Sequence, residues 1–140
     1  MQREANDNFI TICKNTLPNI PLYSLCGNHD MYSGGKGYYW LLDEIGQKSS
    51  YFSLQNDDWQ FVAMDTGYND RDPYTVNTNM TSLYNENGWN EADWHLNLIK
   101  NRGKRHLALF SPFSSVGDNS DQKQSCFNPN LQATFQDVIS

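Results

Sequence analysis

Apolar and polar positions recur along the chain with two periods, and each change of period marks an element. Ala5, Phe9, Ile12, Cys13 and Leu17 stand three and four residues apart, which predicts an amphipathic helix ended by Pro18. Pro21 to Leu25 is a short apolar run of the kind a buried strand uses, and Gly27 permits a sharp exit from it. Tyr38, Tyr39, Leu41, Leu42 and Ile45 return to the helical period, and Gly46 stops it. Tyr51 to Leu54 and Trp59 to Met64, separated by the polar run Gln55-Asn56-Asp57-Asp58, predict an antiparallel hairpin whose second strand is buried. Tyr68 to Glu86 has no period and reads as a long surface loop. Trp89, Ala92, Leu96 and Ile99 predict a further helix with Gly103 past its end, and His95 falls off that stripe, on the exposed side. His106 to Phe110 reads as a strand, Ser111 to Phe127 as a polar loop, and Leu131, Phe135, Val138 and Ile139 as a closing helix capped by Asn130. Strands alternating with helices define an α/β chain, and no linker or repeat divides residues 1–140.

The chemistry concentrates at one break in this pattern. Directly after the apolar run come Gly27, Asn28, His29 and Asp30, at the carboxyl end of a predicted strand, where α/β sheets place their ligands. The Asn28 amide oxygen is a hard neutral donor suited to a divalent cation. His29 can bind metal or move a proton near neutral pH, and Asp30 can orient its ring. The same residues also serve as a plain turn, since Asn and Asp favour turns and a histidine is at home on a surface. Asp65 follows the second hairpin strand and could approach the crevice, but Asp-Thr-Gly at that place is first of all a turn and not an expected ligand.

Composition narrows the choice. The net charge is −6, and the only basic cluster is Lys100, Arg102, Lys104 and Arg105, so a nucleic-acid partner is not expected. No apolar run is long enough to span a membrane, and Met1-Gln2-Arg3-Glu4 does not open a secretory signal. The three cysteines, Cys13, Cys26 and Cys126, lack metal-ligand spacing and are odd in number. Free thiols in a reducing, cytoplasmic compartment are the expectation.

Gly27-Asn28-His29-Asp30 followed by Met31-Tyr32-Ser33-Gly34-Gly35 resembles the third motif of the calcineurin-like metallophosphoesterases. The likeness extends through Ser50-Tyr51-Phe52-Ser53-Leu54-Gln55-Asn56, Trp59 to Gly67 and the Trp94-His95 helix, so it covers most of the chain. It implies a metallophosphoesterase-type sandwich of mixed β-sheets flanked by helices, of which residues 1–140 are a single partial domain. It further implies two divalent cations (manganese, iron or zinc), a phosphoester substrate, and hydrolysis by in-line attack on phosphorus. By motif match, Asn28 ligates the second metal, His29 protonates the leaving oxygen, and Asp30 holds the His29 ring.

The departures from that family are as informative. Its Asp-x-His and Gly-Asp motifs are expected ahead of the first helix, and its Gly-His-x-His motif after the last. The strand ending at Phe110 is expected to lead into a metal-binding histidine, but Ser111-Pro112-Phe113 follows instead. One amide and one imidazole do not hold a pair of divalent ions. The competing expectation is therefore a non-catalytic α/β interaction or regulatory module derived from such an enzyme.

Overall fold

The computed structural model describes residues 3, 6–27, 30, 34–66, 83, 85–86, 88–111, 116–117 and 126–127. Its centre is a three-stranded sheet in the order β1 (Phe52–Gln55), β2 (Trp59–Ala63), β5 (His106–Phe110). β1 and β2 form the expected hairpin, with Phe52 opposite Ala63 and Gln55 opposite Gln60. The side chain of Asn56 closes the turn by accepting from the backbone N–H groups of Asp58 and Trp59, at 2.9 and 2.7 Å. β5 lies parallel to β2, Phe61 opposite Ala108. A parallel pair needs a crossover, and helix α3 (Glu91–Lys100) lies between the two strands in sequence. The sheet is thus mixed and the chain α/β. No helix among the described residues is long and apolar enough to cross a membrane.

Strand alternation divides the sheet into two faces. Val62, Leu107 and Leu109 pack with Met64, Leu83, Leu96 and Ile99, so α3 covers one face. The opposite face carries Leu54, Phe61, Ala63 and Phe110, and with Tyr23 and Leu25 it lines an open apolar hollow of about 440 Å³. A second small core joins Cys26 to Tyr38 and Leu42 of helix α2 (Lys36–Ile45), flanked by Leu41 and Ile45. Gly46 ends α2 as expected: its φ of 76° lets its N–H turn back to the carbonyls of Asp43 and Leu42.

Several expectations are corrected. Residues 21–27 form no strand ladder among the described residues; at Ser24 and Gly27 the backbone is bonded to side chains instead. Gln47 acts there as a stand-in for a neighbouring strand: its Oε1 accepts from the Ser24 N–H at 2.8 Å and its Nε2 donates to the Ser24 carbonyl at 2.9 Å. The first helix is split into a π-helical turn (Asn6–Ile10) and helix α1 (Thr11–Thr16). The wider turn breaks the 3.6-residue phase, so Ile10 is buried while Phe9, Ile12 and Leu17 are exposed.

Trp89 belongs not to the helix but to a two-residue strand. β4 (Trp89–Asn90) pairs with β3 (Asn85–Glu86), and Trp89 is 64% exposed. Asn90 then caps α3 by accepting from the Asp93 N–H at 3.1 Å. The buried stripe of α3 becomes Glu91, His95 and Ile99, and His95, expected outside, is 0% exposed. Within the stretch read as polar loop, β6 (Val116–Gly117) pairs with β7 (Cys126–Phe127). The closing helix at 131–139 lies outside the described residues.

Candidate functional site

The corner singled out by its chemistry is partly described. Asp30 turns back on Gly27: its Oδ2 accepts the Gly27 N–H at 2.6 Å, and its own N–H reaches the Gly27 carbonyl at 3.2 Å. Asn28 and His29, the expected metal ligand and proton donor, lie outside the described residues. Gly27 is needed here for close approach rather than for an unusual φ. A Cβ at this position would stand 3.1 Å from the Asp30 carboxylate.

Cys26, one residue earlier, is buried, and its thiol donates to Asp65 Oδ1 at 3.2 Å. Asp65 therefore does reach this corner, the approach that its place after β2 allowed but that ranked below a plain turn. β2 prepares its placement. The Met64 N–H still bonds to the Phe110 carbonyl at 2.9 Å, whereas the next N–H, that of Asp65, leaves the sheet for Glu91 Oε1 at 2.8 Å. Glu91 Oε1 also meets His95 Nε2 at 3.0 Å, one helical turn along α3. Rings close around this pair, Trp94 at 4.9 Å and Tyr51 at 5.5 Å from the imidazole.

Sequence reasoning missed Glu91 and His95. The signal was their four-residue spacing in line with Ile99, which puts all three on one helix face. His106, by contrast, lies at the entry of β5 as expected, exposed and packed 5.1 Å from the Trp59 ring. Beyond the other end of the strand, Ser111 Oγ stands 2.8 Å from Thr66 Oγ1, so two hydroxyls occupy the edge where the resemblance calls for a histidine.

The electrostatics of the corner favour neutral acids. Burial first, and then the Asp65 carboxylate, push the Cys26 thiol far above its ordinary 9.0. Burial first, and then Cys26 and Asp65, push the Tyr38 phenol far above its ordinary 10.0. Tyr38 holds its proton against the Ser24 carbonyl at 3.0 Å. Both groups stay protonated in the folded chain at a pH where the unfolded chain begins to release its protons. The stability they contribute is complete below the unfolded values and is lost as pH rises above them. Urea unfolding is therefore expected to show stability falling from about pH 9 upward, by about 1.4 kcal/mol per pH unit for each group ionised only when unfolded. Cys26→Ala should remove the first part of that slope and Tyr38→Phe the part that begins near pH 10. An unchanged slope in both variants would refute the assignment.

Among the described residues, no three His, Cys, Asp or Glu side chains come together to hold a metal ion. Both Cys13 and Cys26 are free cysteines. Comparison with protein-family models, with curated proteins and with solved structures gives no match for the chain.

Proposed function

We propose that this chain carries the leaving-group corner of a calcineurin-like metal-dependent phosphoester hydrolase. The observation that carries the reading is the Gly27–Asp30 closure at 2.6 Å, which follows directly on Cys26, itself bonded to Asp65 just past the end of β2. Asp30 Oδ2 is committed to the Gly27 N–H, and its Oδ1 is the oxygen that would receive the His29 ring N–H and set the ring plane. His29 then hands a proton to the departing oxygen, and the Asn28 amide oxygen serves as a neutral ligand. Two divalent cations, when bound, would neutralise charge building on the phosphoryl oxygens. The apolar hollow over Leu54, Phe61, Ala63 and Phe110 further supports the reading, because the second sheet of a sandwich would cover such a face.

A second reading, a non-catalytic interaction or regulatory module, is favoured by the Thr66 and Ser111 hydroxyl pair. Neutral hydroxyls are poor substitutes for an imidazole ligand.

Manganese titration of the isotopically labelled 140-residue chain separates the two. Binding is expected to be weak, above about micromolar, because a divalent site relies on several anionic or imidazole donors. Paramagnetic broadening should nevertheless begin at the Asn28 side-chain amide and the Gly27 and Asp30 backbone signals. Broadening that starts elsewhere, or is absent, would leave the non-catalytic reading standing.

A further inference from the structure

We propose that Glu91, His95 and Asp65 form a buried positioning cluster that holds the Cys26–Asp30 corner in place. The inference rests on the functional reading above for its purpose, but not for its geometry. Glu91 and His95 are both 0% exposed on the first turns of α3. Apolar residues would fill that space with less desolvation cost, so a buried, hydrogen-bonded polar pair is weak evidence for stability and better evidence for a fixed arrangement. One oxygen, Glu91 Oε1, serves both His95 Nε2 at 3.0 Å and the Asp65 N–H at 2.8 Å. With Nε2 donating, the imidazole carries its hydrogen there and leaves Nδ1 without a hydrogen-bond partner among the described residues.

The path continues without a gap. Asp65 Oδ1 receives the Cys26 thiol at 3.2 Å, and the neighbouring Gly27 N–H is held by Asp30 Oδ2 at 2.6 Å. Moving Glu91 therefore frees the first backbone group past the sheet, then the Asp65 carboxylate, then the start of the turn. Asp65, Glu91 and His95 are all 0% exposed. They act through Cys26 and Gly27.

Amide hydrogen exchange on the full 140-residue chain tests this with neither metal nor substrate present. Glu91→Ala is expected to speed exchange at Asp65 and Gly27 about tenfold to a hundredfold, in excess of any change at the β2–β5 amides. Glu91→Gln keeps an acceptor for the Asp65 N–H and should restore most of the protection. A merely structural role predicts a uniform rise across the sheet and the corner, and that result would overturn the proposal. So would a Gln variant no better protected than the Ala variant. Should Glu91→Ala not fold, Glu91→Asp shortens the reach by one methylene and must show the same local excess; uniform or wild-type exchange in it would sink the idea. Manganese broadening then separates the two proposals. Absence of local broadening in the unmodified chain counts against the phosphoesterase reading alone, whereas wild-type exchange at Gly27 in Glu91→Ala counts against the cluster alone.

Discussion

His29→Ala is expected to lower phosphoester turnover by ~10²–10⁴-fold, the range of a positioned general acid, while leaving metal content nearly unchanged. The measurement requires a chain in which the remaining motif ligands are supplied and a histidine is returned to the loop after Phe110. Leaving-group dependence provides the sharper test. Nitrophenyl esters depart without much protonation, so the loss should shrink for them and be greatest for alkyl esters. Asn28→Ala is expected to behave in the opposite way, lowering metal occupancy and rate together, because an amide oxygen has no proton to give and acts only as a ligand. If His29→Ala empties the metal site, or slows good and poor leaving groups alike, His29 is a ligand or an orienting group and the acid role is wrong.

Ile99→Ala should be the most damaging of the core truncations, at ~2–5 kcal/mol. Ile99 is 0% exposed and sits among Val62, Met64, Leu107 and Leu109, so it fastens the crossover helix to both parallel strands. Cutting it back leaves a cavity that two strands and a helix would have to collapse together to fill. Leu54→Ala, on the open face and 39% exposed, should cost less than about 1 kcal/mol under the same conditions. Urea unfolding of the two variants, with m-values compared to the parent, checks the ranking. Equal losses would mean that α3 does not pack on the face carrying Val62 and Leu109.

Much of the architecture is written in local pattern. The β1–β2 hairpin follows from two short apolar runs around Asn56-Asp57-Asp58, since the turn residues bond their own backbone. The end of α2 at Gly46 and the strand at His106–Phe110 are equally local, each set by a residue type or period that does not depend on distant contacts. At Gly27–Asp30 the turn, though not the strand expected ahead of it, was legible for the same reason. Asp30 reaches a backbone group only three positions away, and the glycine that admits it is visible in the sequence.

What the tertiary structure decided is which polar groups were allowed inside, and against what. An apolar stripe on α3 centred on Leu96 looked adequate, yet Glu91 and His95 are the buried pair, because Glu91 gains a partner that sequence distance hides, the Asp65 N–H 26 positions away, and His95 is buried against Glu91 in turn. Gln47 likewise displaces a strand partner from Ser24 at a separation of 23 residues. The π-helical turn at Asn6–Ile10 rotated the first helical face by means that periodicity assumes away. Hydrophobic pattern determines where an element must turn its apolar side. Burying a carboxylate, an imidazole or an amide is decided only when the folded chain brings up the donor or acceptor that offsets its lost water.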